Sequence, residues 1–416
     1  MTAAKVHVVG AGLAGLAAAV SLAAEGHAVA LYEAAPYAGG RCRSFFDSEL
    51  GCRTDNGNHL LLAGNKLAMA YLDRIGARGT LVGPDDPILP FMDLADGVDW
   101  RLRPNNGRIP WWILRRGRRV PGTKASDYLA MLRLRRAPAD ATVADVLDPT
   151  TTLYRRLWQP FAVAALNTSA EAGSAALFAR VVAETLGRGG AACRPLVPRE
   201  GLSETFVDPA LARLREAGAA VRFGARLRRI DLAGERVVGL DFDDGPVGLG
   251  AAERIVLAVP APVAARLVPG LTVPDDYAPI VNAHFRYDAP ATAPLFAGIV
   301  GGTAEWVFKK RGVVSVTVSA ADALVDRPAD ELAPLLWGDV ARVYGLGLTA
   351  LPPWRIVKER RATFRATPAQ LRRRPRPQTR WSNLLLAGDY VDTGLPATIE
   401  GAIRSGLVAA GLIAGR

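Results

Sequence analysis

The chain has 416 residues; 50% are hydrophobic, 22% are charged, and the formal net charge is +11. These values exclude a disordered or fibrous protein and leave room for two domains with a sizeable core. The three cysteines, Cys42, Cys52 and Cys193, are too few for a disulfide framework and lack the close spacing of metal ligands. We therefore expect a cytoplasmic protein without a bound metal.

The first predicted elements are a strand over residues 5–9 and an Ala- and Leu-rich helix over residues 13–25. The turn between them carries three glycines in the spacing Gly-x-Gly-x-x-Gly: Gly10, Gly12 and Gly15. In this context the glycines permit a tight turn, and they let the N–H groups of Leu13 and Ala14 approach a pyrophosphate. A turn that merely packs is the alternative, but the strand, the helix and the following acid together predict a nucleotide site.

The next segment distinguishes between dinucleotides. A second strand over residues 28–32 leads to Glu33 and Ala34, about 20 residues after the glycines, where a carboxylate accepts hydrogen bonds from the adenosine ribose. Gly40 and Arg41 follow a short loop, which returns a guanidinium suited to bidentate contact to the phosphates. This second contact favours FAD over NAD, and a surface turn with a solvated arginine is the alternative.

A basic segment comes next. Residues 108–119 combine Trp111 and Trp112 with a cluster of arginines, and more arginines lie within residues 133–136. Tryptophans beside basic residues suit the headgroup region of an anionic membrane. The alternatives are a solvated hairpin with inward-packed tryptophans and, more remotely, a nucleic-acid-binding flavoprotein, although no nucleic-acid module is recognisable. No segment has the roughly 18 to 20 apolar residues of a membrane span, so any attachment to the inner face of the cell membrane is expected to be peripheral.

The rest of the middle of the chain predicts a mixed region of helices and strands. Residues 124–190 have helical periodicity, whereas residues 279–320 contain alternating and β-branched runs. Further strands are predicted over residues 220–230, 236–241 and 254–260. A sheet below a helical cap would enclose a long apolar pocket. The second arginine cluster, residues 372–376, is interpreted as a solvated linker.

The C-terminal segment completes the pattern. Residues 383–386 predict a buried strand, followed by a turn at Gly388 and Asp389 and by a helix over residues 399–414 with Thr398 as its N-cap. In a flavoprotein Asp389 can hydrogen-bond the ribityl chain. The positive end of the helix can stabilise the negative charge of a reduced flavin. An ordinary capped terminal helix is the alternative.

These motifs together resemble a known superfamily. The glycine spacing, Gly-Gly-Arg, and Ala-Gly-Asp with a terminal Glu-Gly-Ala helix are similar to those of amine oxidases, phytoene desaturases and protoporphyrinogen oxidases. Further stretches resemble one branch, the hydroxysqualene dehydroxylases: residues 55–62, 158–160 with 164–168, 201–203 and 394–402. Two positions depart from that branch, because Asn58 stands where Gln is expected and Tyr390 where Trp is expected.

The resemblance implies an α/β fold in which a Rossmann-type FAD-binding domain is interleaved with a mixed α+β substrate domain. The FAD-binding domain is expected to comprise residues 1–75, 205–262 and 376–416, and the substrate domain residues 76–204 and 263–375. The implied activity is reductive removal of the hydroxyl of hydroxysqualene to give squalene, with noncovalently bound FAD. An FAD-dependent desaturase or oxidase of a carotenoid-type or other apolar substrate is the alternative.

The same resemblance implies the site residues. His59 is the one residue expected to take a catalytic role, as a proton donor beside the flavin; hydrogen bonding to the cofactor or backbone alone is the alternative. The expected FAD contacts are Gly10, Gly12, Leu13, Ala14, Gly15, Glu33, Ala34, Gly40, Arg41, Gly57, Asn58, His59, Leu227, Ala258, Pro260, Gly388, Asp389, Ala397, Thr398, Ile399 and Ala402.

Overall fold

The computed structural model describes residues 4–347 and 350–415. The strands in these residues are β1 (Lys5–Val9), β2 (Ala28–Glu33), β3 (Ser44–Asp47), β4 (Cys52–Asp55), β5 (Leu61–Leu62), β6 (Leu81–Val82), β7 (Leu89–Asp93), β8 (Val98–Leu102), β9 (Pro195–Pro198), β10 (Ala220–Phe223), β11 (Leu227–Ala233), β12 (Arg236–Phe242), β13 (Gly245–Gly248), β14 (Arg254–Leu257), β15 (Tyr277–Arg286), β16 (Phe296–Val300), β17 (Trp306–Lys310), β18 (Val313–Val318), β19 (Trp354–Phe364) and β20 (Leu384–Leu386). The α-helices are α1 (Leu13–Ala24), α2 (Lys66–Arg74), α3 (Ala130–Leu134), α4 (Val143–Val146), α5 (Gln159–Leu166), α6 (Ala175–Glu184), α7 (Asp208–Glu216), α8 (Ala261–Leu267), α9 (Ala329–Tyr344), α10 (Pro368–Leu371) and α11 (Ile399–Ile413).

A five-stranded parallel sheet forms the first layer of the fold, in the order β10-β2-β1-β14-β20. Its strands are short and rich in β-branched and leucine residues, and β1 and β14 are almost wholly buried because helices or strands cover both faces. Helices α1, α7 and α11 pack on one face. Strands β11 and β12 and helix α8 pack on the other. This arrangement confirms the predicted α/β fold class.

One predicted strand is wrong. Residues 220–230 form two strands that belong to different sheets, because β10 ends at Phe223 and β11 begins at Leu227. Gly224 lies between them with a φ of +71°, a conformation that glycine adopts without strain and that turns the chain out of the parallel sheet. The β-branched pattern predicted the strands but not the turn.

A seven-stranded sheet forms the second layer, in the order β19-β15-β18-β17-β16-β7-β8. Its pairs are antiparallel except for β16 and β7. Helix α9 packs on one face, and the helical region from α3 to α6 shares a core with β7 and β8. The alternating pattern in residues 279–320 therefore predicted β15–β18 correctly.

Elements from the two ends of the chain meet beside the carboxyl ends of the strands of the parallel sheet. Helices α1 and α11 pack so closely that a Cβ added to Gly406 would lie 2.0 Å from the carbonyl oxygen of Ala14. The carboxyl ends of β1 and β14 are joined by a hydrogen bond of 2.8 Å from the Ala258 N–H to the Val9 carbonyl. Open α/β sheets bind ligands at the carboxyl ends of their strands, so a ligand site is expected here.

Candidate functional site

The glycine turn after β1 is tight on one side and open on the other. Gly10 has a φ of +105°, and a Cβ there would lie 2.4 Å from the carbonyl oxygen of Ala258. A Cβ at Gly15 would lie 1.8 Å from the carbonyl oxygen of Gly10. A Cβ at Gly12 would meet no atom of the described residues within 4 Å beyond its chain neighbours. The space in front of Gly12 is therefore free for a ligand.

The open side exposes the amino end of α1. Gly12 is its N-cap, no side chain of the described residues caps it, and the first helical bond runs from the Leu16 N–H to the Gly12 carbonyl at 2.9 Å. The N–H groups of Leu13, Ala14 and Gly15 are left for an external acceptor. An uncapped helix end carries partial positive charge and suits a phosphate, so these residues fit the pyrophosphate of FAD.

Glu33 lies beside this turn, as the sequence predicted. One of its carboxylate oxygens accepts a hydrogen bond from the Ala11 N–H and the other from the Ala35 N–H, each at 2.8 Å. Ala34 is exposed next to it. The two backbone bonds fix the carboxylate at the end of β2, within reach of a ligand on the glycine turn.

Gly40 and Arg41 also return to the turn. A Cβ at Gly40 would lie 3.6 Å from the Cα of Gly12. The Arg41 guanidinium lies 2.8 Å from the Asp389 carboxylate and donates to the Ala362 carbonyl in β19. Arg41 was expected on the phosphates and Asp389 on the ribityl chain, and the structure pairs these two side chains with each other.

The C-terminal residues converge at the start of α11. The Gly388 N–H donates to Ser405 Oγ at 2.8 Å, and Thr398 caps α11 by accepting a hydrogen bond from the Gly401 N–H at 3.1 Å. The predicted N-cap is therefore confirmed. Three other expected contacts are half-buried at this helix end: Ala397, Ile399 and Ala402.

The expected contacts from the central strands are more scattered. Ala258 is joined to β1 beside the glycine turn, through the bond from its N–H to Val9. Leu227 is buried at the start of β11, and Pro260 is the exposed residue that precedes α8. Of these three, the structure brings Ala258 to the glycine turn.

The loop with Gly57, Asn58 and His59 is attached to the seven-stranded sheet. Asn58 Nδ2 donates to Thr317 Oγ1 at 3.1 Å, and Thr317 donates to Asn282 at 2.8 Å. Sequence reasoning missed Asn282 and Thr317, because they stand in strands that otherwise have the composition of a core. The Asn58 Oδ1 atom is buried without a hydrogen-bond partner among the described residues, which leaves an acceptor for a bound group such as FAD.

His59 is neutral at physiological pH. Burial lowers the pKa of His59 to about 4; Asp55 acts to raise this pKa, whereas the charges of Lys310 and Arg41 lower it further. A neutral imidazole donates one hydrogen bond and accepts one, but it holds no excess proton. The structure therefore favours a hydrogen-bonding group over a charged proton donor at this position.

A buried ion pair that sequence reasoning did not find lies at the start of the same loop. The Asp55 side chain is 2% exposed and forms an ion pair with the Lys310 ammonium group. It also accepts hydrogen bonds from Ser44 at 2.6 Å and from the Leu202 N–H at 2.9 Å. Burial acts to raise the pKa of Asp55, but Lys310 and these bonds outweigh it and lower the pKa. The pair and His284 line part of a cavity of about 200 Å³.

The basic segment presents an apolar surface to solvent. Five large apolar side chains in residues 108–136, which we call the apolar patch, are exposed by 55–61%: Ile109, Trp111, Leu114, Leu129 and Leu132. Trp112 is 4% exposed and packs edge-on against Tyr128, with ring centroids 5.1 Å apart. One tryptophan of the pair therefore faces outward and the other inward. Across the described part of the chain, no helix combines the length and hydrophobicity of a membrane span.

The second arginine cluster is not the solvated linker that the sequence suggested. Arg372 and Arg376 are exposed, but Arg374 is 8% exposed and donates hydrogen bonds to several backbone carbonyls. The prediction of a solvated residue is therefore wrong for Arg374. Its guanidinium can be buried because the backbone carbonyls replace the hydrogen bonds that water would make.

Comparison with known proteins agrees with this geometry. The family model "Flavin containing amine oxidoreductase" matches residues 13–414. The chain belongs to the flavin-containing amine oxidoreductase family. The superfamily inferred from the motifs is thereby confirmed, and this flavin-containing amine oxidoreductase is an FAD-dependent enzyme.

Two relatives and one solved structure illustrate the similarity of this chain to known proteins in sequence and in fold. The chain is 49% identical to "Hydroxysqualene dehydroxylase" of Rhodopseudomonas palustris, over 98% of both chains. It is 47% identical to the protein of the same name of Sinorhizobium fredii, over 98% of this chain and 97% of that one. Cyclohexylamine oxidase from Brevibacterium oxydans has the same fold, with a TM-score of 0.72, 18% identity and coverage of 100% and 99%.

Proposed function

We propose that this flavin-containing amine oxidoreductase removes the hydroxyl of hydroxysqualene reductively and releases squalene. The observation that carries the proposal is the 49% identity, across 98% of both chains, to a hydroxysqualene dehydroxylase. The reaction replaces a C–O bond by a C–H bond and forms water, so each turnover consumes two electrons and two protons. Bound FAD, once reduced, supplies a hydride, that is, both electrons with one of the protons.

The proposed FAD site uses the residues expected from the sequence. The uncapped end of α1 takes the pyrophosphate, Glu33 the adenosine ribose, and the start of α11 the flavin, with FAD held noncovalently. The strands of the parallel sheet all come from residues 1–75, 205–262 and 376–416, which supports these segments as the FAD-binding domain. Residues 76–204 and 263–375 are the proposed substrate domain.

The chain's own contribution to the chemistry centres on His59. Its neutral imidazole can donate an N–H to the oxygen of the departing hydroxyl, as neutral imidazoles do in other active sites. The Asp55 ion pair and the Asn58 hydrogen bond hold the loop in place. The second proton of the reaction would come from solvent by way of His59: the imidazole would pass its N–H proton to the departing oxygen and take up a proton from solvent at its other nitrogen.

Replacing His59 tests this role. His59→Ala is expected to lower turnover about 100-fold while FAD remains bound, because the departing oxygen loses its donor. His59→Gln, which keeps an N–H donor, is the matched control and should lose less. Unchanged turnover of His59→Ala at full FAD content would remove His59 from the mechanism.

Anaerobic mixing tests the activity itself. We expect the dithionite-reduced enzyme to be reoxidised by hydroxysqualene, with one squalene formed per FAD, whereas squalene as the control substrate leaves the flavin reduced. If hydroxysqualene does not reoxidise the flavin and no squalene forms, the proposal is wrong. Reduction of the oxidised enzyme by a carotenoid precursor would then favour the desaturase alternative.

We also propose that the apolar patch docks on the inner face of the cell membrane. Exposed arginines lie within a few residues of its side chains in sequence: Arg115, Arg116 and Arg133. Aromatic and aliphatic side chains enter the interface of a bilayer, and the arginines add attraction to anionic lipids. A membrane surface is also where a water-insoluble isoprenoid would be found.

Liposome sedimentation tests the docking. The double variant Trp111→Ser, Leu114→Ser is expected to lose most binding to vesicles of phosphatidylglycerol, since it removes two of the five apolar side chains. Phe46→Ser is the matched control, because Phe46 is 65% exposed but lies outside the patch. Equal sedimentation of the wild type and the double variant contradicts the proposal.

A further inference from the structure

Arg374 differs from the other arginines of its cluster in its surroundings. Its side chain is 2% exposed, whereas Arg372 and Arg376 on either side of it are exposed. A buried guanidinium needs hydrogen-bond acceptors for its five N–H groups. The identity of those acceptors shows what the residue does.

The acceptors are backbone carbonyls of one short segment, residues 389–395. One terminal nitrogen of Arg374 donates to the Leu395 carbonyl at 2.8 Å. The other donates to the carbonyls of Val391 at 2.6 Å and Asp389 at 3.3 Å. The Nε atom donates to the Tyr390 carbonyl at 3.3 Å. A single side chain thus gathers four carbonyls from seven consecutive residues.

The remaining contacts of Arg374 do not explain its burial. The carboxylate of Asp392 is 3.9 Å away, and the Asp392 side chain is 59% exposed, so this ion pair is weak. The guanidinium carbon lies 5.2 Å from the centre of the Phe364 ring in β19. The backbone carbonyls are therefore the main partners of Arg374.

The segment that Arg374 gathers joins two parts of the proposed flavin contacts. Asp389 stands at its beginning, and its carboxylate lies 2.8 Å from Arg41. Leu395 stands at its end, three residues before Thr398, the N-cap of α11. The segment itself is neither helix nor strand, so it has no regular hydrogen-bond ladder to hold its shape.

We propose that Arg374 is a positioning residue for FAD, which shapes residues 389–395 so that Asp389 and the amino end of α11 are presented to the flavin together. Only a planar guanidinium has donors in enough directions to reach these four carbonyls, and a lysine ammonium has three. The proposal rests on the FAD cofactor of the family and not on hydroxysqualene as substrate, so the two can fail separately.

The test separates cofactor positioning from simple folding. Apo-protein of the wild type and of Arg374→Lys is melted with and without FAD, and the dissociation constant of FAD is measured by titration. The melting temperature of the apo-protein reports the fold, and the increase on adding FAD reports affinity. Arg376→Lys is the matched control, because it changes an exposed arginine of the same cluster.

We expect Arg374→Lys to weaken FAD binding about 30-fold, since a lysine leaves part of the carbonyl set without donors, and to shift the visible absorption band of the bound flavin. Arg376→Lys should match the wild type in both. Equal FAD affinity and an unchanged flavin band in Arg374→Lys would overturn the proposal, even if its apo-protein melted at a lower temperature.

A second variant guards against a failure to fold. Arg374→Ala with added methylguanidinium is expected to regain FAD affinity, because the free cation can occupy the space and contact the same carbonyls. Recovery of FAD binding by methylguanidinium but not by methylammonium supports the positioning role. A folded Arg374→Ala protein that binds FAD as tightly as the wild type without either additive contradicts it.

Discussion

The parallel-sheet region and the seven-stranded-sheet region of this flavin-containing amine oxidoreductase each illustrate one kind of contact that stabilises the fold. In the first, backbones touch: Gly15 meets the Gly10 carbonyl, and Gly406 meets the Ala14 carbonyl. In the second, side chains reach across long distances in sequence, as Asn167 does to the Ala278 carbonyl. Backbone contacts demand glycine at fixed spacings and so can be recognised from sequence. Side-chain contacts between distant segments carry no such signature.

The largest effect is expected where two helices touch. Gly406→Ala should destabilise the protein by about 4 kcal/mol, because its Cβ would lie 2.0 Å from a backbone oxygen of α1 and neither helix can yield easily. Gly338→Ala in α9 is the matched control, since its Cβ meets no described atom within 4 Å. That change should be neutral or stabilise by up to about 1 kcal/mol. Urea unfolding of both variants measures the difference, and equal stabilities would contradict the prediction.

The corresponding change in the seven-stranded-sheet region removes a side chain. Asn167 has a left-handed φ of 47° and bonds the Ala278 carbonyl, Thr363 Oγ1 and the Ala320 N–H at 3.1, 2.9 and 2.6 Å. Asn167→Ala should cost about 3 kcal/mol, because these buried groups lose their partner and alanine is strained at this φ.

A second substitution at Asn167 sharpens this prediction. Asn167→Gly loses the same hydrogen bonds without the backbone strain, so it should be about 1 kcal/mol more stable than Asn167→Ala. FAD content per folded chain should be unchanged in both variants. A loss of FAD without a loss of stability would contradict the prediction, because it would show that Asn167 in the seven-stranded-sheet region affects FAD binding in the parallel-sheet region.

A smaller effect is expected from pH. Burial lowers the pKa of His284 to about 4, with Lys310 acting in the same direction and the Asp55 and Asp47 carboxylates opposing it. The unfolded chain therefore binds a proton more readily than the fold, and stability is lost as pH falls from about 6.5 towards 4. Between pH 7 and pH 5 the loss from this residue is about 2 kcal/mol.

The variant His284→Asn isolates that contribution. Its free energy of unfolding should fall less than that of the wild type between pH 7 and pH 5, by about the same 2 kcal/mol. His284 bonds Ser315 at 2.8 Å in the core of the sheet, so the variant is less stable at pH 7. The informative quantity is the slope with pH, and parallel slopes in the two proteins would contradict the prediction.

Most of the parallel-sheet region could be predicted from the sequence. The glycines and the N-cap Thr398 were predicted in the places where the structure has them, because local backbone geometry requires them, and Glu33 was predicted beside the glycine turn from its spacing after the glycines. The turn at Gly224 was missed, since a single glycine between two β-branched runs does not show whether they continue in one sheet.

The rest of the site depended on partners that lie far apart in the chain. Arg374 looked like a member of a solvated cluster, and nothing within a few residues of it indicated four carbonyls as its acceptors. Asn282 and Thr317 looked like polar interruptions of two core strands until the loop with Asn58 was placed on them. Which of the two tryptophans, Trp111 or Trp112, is buried also depends on the position of Tyr128.

Titration of FAD into the apo-proteins of the wild type and of Gly12→Ala tests whether the glycine turn holds the pyrophosphate of FAD. A Cβ at Gly12 disturbs no described contact of the fold, yet it enters the space in front of α1 that the pyrophosphate is proposed to occupy. We expect one FAD per wild-type chain, and at least about tenfold weaker binding by a Gly12→Ala protein whose apo-form melts like the wild type. Equal affinity of the two proteins would show that FAD does not bind at the glycine turn.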